Sequence, residues 1–182
     1  MKSILKEKYH KEVVTKFRER FEVKNVMAVP RITKVALNAG IGRFLKEKEA
    51  VDEIVAAIRD ITGQKPVMAK AKKSISGFKV RQGQEIGVTL TLRGRRMWDF
   101  LERLVNVSFP RIRDFRGIED KYFDGQGNLN MAIKEHIVFP EIAAENVKNI
   151  FGFQVTVVNT AKTKEQGVEL FKLLGFPIKS EL

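Results

Sequence analysis

The sequence lacks cysteine altogether and has only two histidines. Without cysteine there can be no disulfide framework, no thiol nucleophile and no zinc site built on thiolates, and the absence fits a reducing cytoplasm. His10 and His136 have no metal-ligand spacing, and no Ser/His/Asp set is legible. We therefore expect no metal, no cofactor, no small-molecule substrate and no enzymatic active site.

Long hydrophobic runs are also absent. The longest stretch without a charged residue spans residues 149–161, and it is interrupted by glycine and by polar side chains. A membrane-spanning helix needs about 20 consecutive apolar residues, and the first residues offer no apolar segment for a signal peptide. We expect no membrane segment and a cytoplasmic location.

What the chain has in excess is positive charge. It holds 34 Lys and Arg against 22 Asp and Glu, which gives a net charge of +12. Such a charge favours a polyanionic partner, nucleic acid first and an anionic membrane second. The length of 182 residues and the hydrophobic fraction of 43% suit one packed domain. We predict a single RNA-binding domain over residues 1–182.

Hydrophobic periodicity predicts the helices. Apolar residues repeat every four positions from Leu5 to Phe21, which indicates an N-terminal helix. Further helices are predicted at about residues 46–62, from Met97 to Val105, and at residues 164–174. We expect Pro110 to end the third helix and Pro140 to begin a short helical stretch.

Alternation of apolar and polar residues predicts five strands, and His136 is placed in strand structure after the fourth. The strands are residues 31–38, 66–69, 86–93, 129–134 and 153–160. The middle of the chain then reads strand, helix, strand, strand, helix, strand. This split β-α-β order predicts an α+β fold with a ferredoxin- or RRM-like core plus the N-terminal helix. The antiparallel sheet of about five strands would have helices packed on one face.

The other face of this sheet would be open. Alternation assigns it a polar and cationic set without a carboxylate: Lys34, Asn38, Thr89, Thr91, Arg93, Asn130, Lys134, Gln154, Thr156 and Thr160. An ordinary solvated face is the plain alternative, and the net charge favours an RNA platform instead. With no aromatic side chain, such a face cannot stack bases, but it can hydrogen-bond ribose hydroxyls and base edges in a shallow minor groove.

A second candidate surface is a long basic loop at about residues 70–85. Residues 61–84 contain no Asp or Glu, and the loop combines cations with serines and an exposed aromatic: Lys70, Lys72, Lys73, Ser74, Ser76, Phe78, Lys79 and Arg81. Clustered like charges repel one another, so an anionic partner would stabilise the loop. A flexible solvated loop is the alternative.

A third candidate region has arginine, and not lysine, as its basic residue. Every cation between Lys79 and Lys121 is arginine, whose planar guanidinium suits phosphate and carboxylate. The pair Arg95 and Arg96 lies at a strand-to-helix corner, where a helix N-terminus would favour phosphate. For Arg103 we expect instead a salt bridge to Asp99, four residues earlier.

Two further motifs are weak. Gly40-Ile-Gly42 follows a strand and precedes a helix, as in dinucleotide-binding sites, but the third glycine is missing and a tight turn is favoured. The segment Asp124-Gly-Gln-Gly-Asn128 lacks the acidic residues of a calcium loop, so an Asp-stabilised turn is favoured. A nucleotide-binding enzyme and a peripheral membrane protein with a basic first helix remain as alternative functions.

Several motifs, in order along nearly the whole chain, carry a family resemblance. They are Thr62-Gly-Gln-Lys-Pro66, Lys70-Ala-Lys-Lys-Ser-Ile-Ser76, Phe78-Lys-Val-Arg-Gln-Gly83, Leu92-Arg-Gly-Arg-Arg-Met-Trp98, Pro110-Arg-Ile-Arg-Asp-Phe-Arg-Gly117, Phe123-Asp-Gly-Gln-Gly-Asn128 and Phe139-Pro-Glu-Ile142. Together they resemble the bacterial-type large-subunit ribosomal protein L five family, the 5S-rRNA-binding proteins of the central protuberance.

The resemblance implies three surfaces and their partners. The open face would bind 5S rRNA through Lys34, Asn38, Gln64, Thr89, Thr91 and Arg93, and the basic loop would contact peptidyl-site (P-site) transfer RNA. An intersubunit bridge with small-subunit ribosomal protein S thirteen would use Arg111, Arg113, Asp114 and Arg116. The resemblance also implies 23S rRNA and other central-protuberance proteins as partners.

Overall fold

One antiparallel sheet organises the part of the chain that the computed structural model describes, residues 3–45, 47–143 and 147–179. Its strands follow the spatial order β2-β3-β1-β5-β4. Their bounds are Ile32–Gly40 for β1, Val67–Lys70 for β2, Glu85–Leu92 for β3, Leu129–Ile133 for β4 and Phe153–Asn159 for β5. The predicted α+β class with a five-stranded antiparallel sheet is confirmed.

Four long helical segments accompany the sheet. Helix α1 consists of Ile4–Lys8, a π turn Tyr9–Val13 and Val14–Phe21, and α3 consists of Gly94–Arg103, a π turn Leu104–Ser108 and Phe109–Arg111. Helices α2 and α4 are Lys48–Thr62 and Lys164–Leu174. The expected start of α2, Lys46, lies outside the described residues. Within the described part, none of the helices has the length and apolar composition needed to cross a membrane.

The split β-α-β core consists of β1, α2, β2, β3, α3 and β5. Strand β1 is central and pairs with β3 on one side and β5 on the other. Strand β4, which we expected to complete the core, instead pairs only with β5 at the edge of the sheet. The fourth core position therefore belongs to the later strand, and β4 widens the sheet.

The two faces of the sheet differ as the alternation predicts. Apolar residues of β1, β3 and β5 point to one face and are buried: Val35, Leu37, Val88, Leu90, Leu92, Val155 and Val157. They form one hydrophobic core with the helices. Burying apolar surface is the main favourable contribution to folding. The opposite face carries the polar partners of these residues, and no helix of the described residues packs against it.

The buried apolar residues of α1 have an unusual spacing, which the structure of the helix explains. Leu5, Tyr9, Val13 and Phe17 are spaced strictly by four and are all buried. In an α-helix with 3.6 residues per turn, a spacing of four drifts by about 40° at every step. The wider π turn Tyr9–Val13 compensates for this drift. It keeps the apolar stripe directed towards the core.

Pro110 does not end α3, contrary to the prediction. The helix continues to Arg111, and the π turn Leu104–Ser108 precedes the proline. In a regular helix, proline lacks the N–H for the preceding turn and its ring clashes with a carbonyl there. In the π turn, the N–H of Phe109 instead bonds to the carbonyl of Leu104. The altered hydrogen-bond register before the proline lets the helix include Pro110 and end one residue later, at Arg111.

The chain after β4 departs from two predictions. Strand β4 ends at Ile133, so His136 is not in a strand but begins a 3-10 turn. Pro140 lies in a turn and not in a helix. The N–H of His136 bonds to the carbonyl of Phe151 at 3.1 Å, and the two rings stack with centroids 4.1 Å apart. Contacts with a distant segment therefore override the local pattern here.

Candidate nucleic-acid interface

The sheet register brings the expected open-face residues together. Asn38 lies opposite Thr89 on β3 and Gln154 on β5. In the next row of the same face, Ala36 lies opposite Thr91. Because side chains alternate between faces along each strand, these rows point away from the core. The strands thus hold several polar groups in fixed positions on one surface.

The polar groups of the open face differ in whether they already form hydrogen bonds within the protein. Asn38 and Thr91 are exposed, and their side chains make no hydrogen bond within the described residues. The Thr89 hydroxyl donates to the carbonyl of Leu37 at 3.2 Å. Gln64 donates from Nε2 to the carbonyl of Thr91 at 3.2 Å, which fixes its amide and leaves Oε1 for another donor. This part of the face therefore offers both donors and acceptors.

Two cations flank these polar groups. Lys34 lies on β1 opposite Val158 and is partly exposed, whereas Arg93 is exposed at the N-cap of α3. Neither forms an ion pair with any residue in the described ranges. Cations without a protein carboxylate partner are available to phosphate groups. The charge of this face thus lies beside its neutral centre.

Small residues on the same face were missed by the sequence reasoning. Gly87 on β3 lies opposite Gly40 on β1 and Ala69 on β2, so this row has almost no side chains. Beside it, Val67 is 66% exposed and lies opposite Thr89. The signal was present, because the alternation that places Thr89 on this face also places Gly87 there, although Gly87 itself is buried. A flat row of this kind lets another backbone approach closely.

Aromatic residues are missing from the open face. The sole aromatic residue in the five strands given above is Phe153, which is buried. RNA-binding sheets that read single strands stack bases on exposed aromatic side chains. This face instead suits a structured RNA whose ribose hydroxyls and base edges form hydrogen bonds.

The basic loop at residues 70–85 is an extension of the β2–β3 hairpin. The N–H of Ala71 bonds to the carbonyl of Gln84 at 2.8 Å. Farther out, Ile75 and Val80 exchange two backbone hydrogen bonds of 2.9 and 3.2 Å. The loop was expected to have no regular structure, but this ladder connects its outer part to the sheet.

The end of the loop presents charge and an aromatic ring to solvent. Phe78 is 78% exposed, and a 3-10 turn Ser76–Phe78 precedes Lys79, whose φ of 54° is left-handed. The Ser74 hydroxyl accepts a hydrogen bond of 2.9 Å from the N–H of Gln82, so it holds the loop together. The exposed cations form no ion pair in the described part of the chain: Lys70, Lys72, Lys73, Lys79 and Arg81.

The third region, residues 111–117, is anchored by aromatic packing. Phe115 stacks on Phe109 with centroids 5.1 Å apart and ring planes 5° apart. Just beyond, the N–H of Ile118 bonds to the carbonyl of Pro177 at 2.7 Å. These contacts leave the predicted bridge residues exposed on the outer side: Arg111, Arg113, Asp114 and Arg116.

The ion pair predicted for Arg103 has a different partner. Arg103 pairs with Glu141 at 2.5 Å and donates to the carbonyl of Ile61 at 2.8 Å, whereas Asp99 pairs with Arg95 at 3.5 Å. Carbonyls in the last turn of a helix lack partners within that helix. Arg103 supplies one at the end of α2. Its role is structural, as expected, but it ties α3 to α2 and to a distant segment.

The alternative dinucleotide site lacks the geometry that it would need. Strand β1 continues through Gly40, and a 3-10 turn Gly42–Phe44 follows. Helix α2 begins only at Lys48. A phosphate site of this type requires the glycine turn to lead directly into a helix N-terminus. The glycines therefore mark a strand end and a turn.

The segment at residues 124–128 is the Asp-stabilised turn that was predicted. Asp124 Oδ1 accepts hydrogen bonds from the N–H groups of Gln126 and Asn128, at 2.9 and 2.8 Å. Burial alone would raise the pKa of Asp124, but these bonds and one from the Asn128 side chain outweigh it and lower the pKa. In the described ranges, no cluster of acidic and histidine side chains could hold a metal ion.

Helix α1 does not offer an apolar face to a membrane. Its apolar stripe is buried in the core, from Leu5 to Phe17. An interfacial helix must leave its apolar face free for lipid. The peripheral-membrane alternative therefore has no structural support in α1.

A buried histidine lies behind the edge of the sheet. Burial lowers the pKa of His136, against the opposing influence of the Glu53 carboxylate. The Phe151 N–H lies 3.4 Å from its Nδ1. Glu53 accepts hydrogen bonds of 3.0 Å from Lys148 and Asn149; burial opposes ionisation, but these bonds prevail and lower its pKa. Both groups fix the segment that leads into β5.

Known proteins resemble this chain over nearly its whole length. A family model described as "Ribosomal protein L5" matches residues 25–81, and one described as "ribosomal L5P family C-terminus" matches residues 85–178. The large ribosomal subunit protein uL5 of Halothermothrix orenii is 50% identical over 175 residues, covering 96% of this chain and 98% of that protein. Its namesake in Trichodesmium erythraeum is 46% identical over 180 residues, covering 99% of both.

The two family matches take in the open face, the basic loop up to Arg81 and the region at residues 111–117. A further uL5 protein, from Marinomonas sp., is 49% identical over 175 residues, with 96% of this chain and 98% of that protein covered. The resemblance seen in the sequence motifs is thereby confirmed. The chain belongs to the ribosomal protein L5 family, whose members are structural, non-enzymatic proteins of the large ribosomal subunit in the cytoplasm.

Proposed function

We propose that this protein binds 5S rRNA through the open face of its sheet. The residues that would make the contact are Lys34, Asn38, Gln64, Thr89, Thr91 and Arg93. The observation that carries the proposal is the free state of the Asn38 and Thr91 side chains within the described structure. Polar groups fixed on strands, with no protein partner, gain most from matching groups on a ligand.

The shape of the face favours a double-stranded segment of the RNA. The minor groove of an RNA helix is wide and shallow and displays 2′-hydroxyls. The flat row of Gly40, Gly87 and Ala69 allows a close approach, while Lys34 and Arg93 provide charges for the flanking phosphates. Neutral groups would then select the site, and cations would strengthen the attachment.

We further propose that the basic loop contacts P-site transfer RNA. Its candidate contacts are Lys70, Lys72, Lys73, Ser74, Ser76, Phe78, Lys79 and Arg81. Support comes from the cations, which form no ion pair with any described residue, and from the hairpin ladder, which extends the loop beyond the sheet. Phe78 adds an exposed ring that can stack on a base or ribose.

The region at residues 111–117 is proposed to form the intersubunit bridge with small-subunit protein S thirteen. Three arginines and one aspartate lie exposed on a segment that Phe115 fixes to the core. Such a mixed surface suits a protein partner, because it offers both signs of charge.

We place 23S rRNA and other central-protuberance proteins among the remaining partners. One sheet spans both family-model regions, which supports a single RNA-binding domain.

The proposal is tested by titrating the purified chain with 5S rRNA at several salt concentrations. If about five phosphates are neutralised, the logarithm of the binding constant should fall with that of the salt concentration at a slope near −4. Hydroxyl-radical footprinting should show protected riboses along one minor groove. Equal affinity for an unrelated structured RNA of similar length, or a slope near zero, would contradict 5S rRNA recognition.

A further inference from the structure

An apolar groove lies where the basic loop leaves the sheet. It holds about 690 Å³ between the loop and the turn that follows β1, which is room for several side chains. Its lining is mostly apolar: Leu45, Ala71, Ile75, Phe78, Val80 and Ile86. Ligand sites in proteins are typically concave and apolar in this way. The groove therefore suits a ligand that carries apolar side chains.

The groove continues the core side of the sheet. Ile86 lies one residue before Gly87 of the open face, so alternation directs it to the core side. Ile75 and Val80 share one side of the loop ladder, because they lie opposite each other and exchange two backbone hydrogen bonds. Leu45 packs against the core from the other wall. None of the described lining residues belongs to α1, α2, α3 or α4, so the helices leave this apolar side uncovered.

The rim of the groove exposes large apolar side chains to water. Ile75 is 51% exposed and Phe78 is 78% exposed. Val80 and Ile86 are only partly buried. A single exposed apolar residue is ordinary, but exposed apolar groups that are contiguous and bordered by polar residues mark interaction sites. Here they converge on one groove.

The charge around the groove is positive. Lys72 and Lys73 line it, and no carboxylate is found among the described lining residues. Arg43 is exposed beside Gly42 of the lining. None of these three cations forms an ion pair with any described residue. Like charges that lie close together repel one another, so a negatively charged ligand would stabilise them.

We propose that this groove binds an acidic segment of another protein. Large apolar side chains of the segment fill the groove, and its carboxylates pair with the surrounding cations. RNA fits the lining less well, because aliphatic side chains offer a base neither a stacking surface nor hydrogen bonds. The segment would cover the loop whenever no RNA occupies it. Its binding does not require that the loop also contacts transfer RNA.

The test titrates the full chain into a fluorescein-labelled peptide that is rich in glutamate and carries three spaced leucines. A second peptide has serine in place of each leucine and keeps every charge. Fluorescence anisotropy should show about tenfold tighter binding of the leucine peptide, because only this peptide can bury apolar surface in the groove. Equal affinity for the two peptides would reduce the interaction to charge attraction and overturn the proposal.

Two double variants locate the apolar contact. Ile75→Ser/Phe78→Ser removes the exposed apolar side chains of the groove and should bind the leucine peptide about fivefold more weakly. Met27→Ser/Ile150→Ser is the matched control, because these residues are 80% and 58% exposed and do not line the groove. The control should stay within about twofold of the unaltered chain. Equal losses in the two variants would contradict a contact in the groove.

Substitutions at Gly42 test the charge without removing a native side chain. Gly42 lines the groove, and a Cβ added there would meet no atom within 4 Å. Gly42→Lys should bind the leucine peptide about tenfold more tightly than Gly42→Glu, because the added charge lies beside the carboxylates of the peptide. Gly125 has equally free space and does not line the groove. Gly125→Lys and Gly125→Glu should differ by no more than about twofold, because salt screens distant charges.

The Gly42 variants also decide between a protein and an RNA ligand. Gly42 is not among the proposed transfer RNA contacts, so the peptide result and the transfer RNA result can fail independently. A difference within the Gly42 pair that is no larger than the difference within the Gly125 pair would overturn the proposal. So would Gly42→Glu binding an RNA hairpin more weakly than Gly125→Glu does while peptide binding stays unchanged, because the groove would then belong to RNA.

Discussion

The open sheet face and the basic loop are both candidate RNA surfaces, yet they are built differently. On the face, neutral groups such as Asn38 and Thr91 are fixed by strands that pair on both sides of β1. On the loop, the long side chains of Lys72, Lys79 and Arg81 project from a two-stranded extension of the sheet edge. The face holds few groups in defined places, whereas the loop holds much charge over a larger reach.

The difference shows how a small protein can separate recognition from attraction. A hydrogen bond to a base edge or ribose depends on tenths of an ångström, so its donors belong on rigid elements. Attraction between a cation and phosphates varies slowly with distance and does not depend on sequence. A loop can supply such attraction without a fixed geometry.

The largest effect is expected from Asn38→Ala/Thr91→Ala. Each change removes a polar group that would be buried against RNA, so together they should cost about 3 kcal/mol, or roughly 100-fold in 5S rRNA affinity. Filter binding measures the loss, and circular dichroism verifies the fold. The control Thr15→Ala/Asn106→Ala alters the same residue types on the helices and should bind normally. A folded face variant with full affinity would contradict the site.

The next effect concerns the loop. Replacing Lys72, Lys73, Lys79 and Arg81 with Gln should leave 5S rRNA affinity nearly unchanged, with only a shallower salt dependence, because the proposed partner of the loop is a different RNA. Ribosomes that carry the variant should retain P-site transfer RNA about tenfold less well, since several phosphate contacts are lost. Transfer RNA dissociation from assembled ribosomes is the measurement.

A matched loop control removes four exposed cations elsewhere. Gln replaces Lys16, Arg59, Lys162 and Lys172, which all lie outside residues 70–85. This variant should retain transfer RNA like the unaltered protein. A large loss of 5S rRNA binding in the loop variant, with normal transfer RNA retention, would show that the loop serves the other RNA.

A smaller effect is expected from Ser74→Ala. The change leaves the N–H of Gln82 without its acceptor, which should destabilise the loop ladder by about 1 kcal/mol. Hydrogen exchange should become faster at Ile75 and Val80, and transfer RNA retention should fall about two- to threefold. Ser76→Ala is the control for the exchange measurement alone, because the Ser76 hydroxyl makes no hydrogen bond in the described structure but is itself a proposed transfer RNA contact. Faster exchange in both variants alike would contradict the role of Ser74.

The smallest expected effect is a modest loss of folding stability at acidic pH, caused by the buried His136. Burial lowers the pKa of His136 in the folded protein, so its contribution to stability is full above the unfolded pKa of about 6.5 and is lost as pH falls below it. The loss is at most about 1.4 kcal/mol per pH unit. The carboxyls of Glu53 and Asp124 have lowered pKa values, so their contributions persist until pH falls below their ordinary values of 4.5 and 3.8.

Urea unfolding between pH 7.5 and pH 6 isolates the histidine, because the carboxyls stay ionised in this range. The unaltered chain should lose stability over the interval, and His136→Gln should lose less, although it starts from a lower value. Hydrogen exchange in the basic loop should not follow the same pH dependence. An equal slope in both proteins would contradict the assignment to His136.

Sequence alone predicted the open face well, because alternation is a local property. The positions of Asn38 and Thr91, and α4 from Lys164 to Leu174, followed directly from residue patterns. The roles of the face residues stay predictions. Contacts between distant segments could not be predicted from local patterns. Arg103 and Glu141, for example, pair although they are 38 residues apart in the sequence.

Errors in the local predictions have the same origin. The proline at 140 suggested a helix start, but the stacking of His136 on Phe151 fixes the chain differently. Likewise, Pro110 suggested a stop, and the π turn before it removed the conflict. Patterns in a window of a few residues describe preferences, and contacts from elsewhere in the chain decide among them.

The π turn in α1 contains one residue more than a regular helix would need to keep its apolar side chains buried. Deleting Glu12, which is exposed, would change the spacing of the buried residues from strict fours to four, three and four, close to the natural average of an α-helix. The helix could then shorten into a regular one with every apolar side chain still inside. An inserted residue could not be accommodated in this way. It would require a second wide turn, or it would rotate Phe17 out of the core.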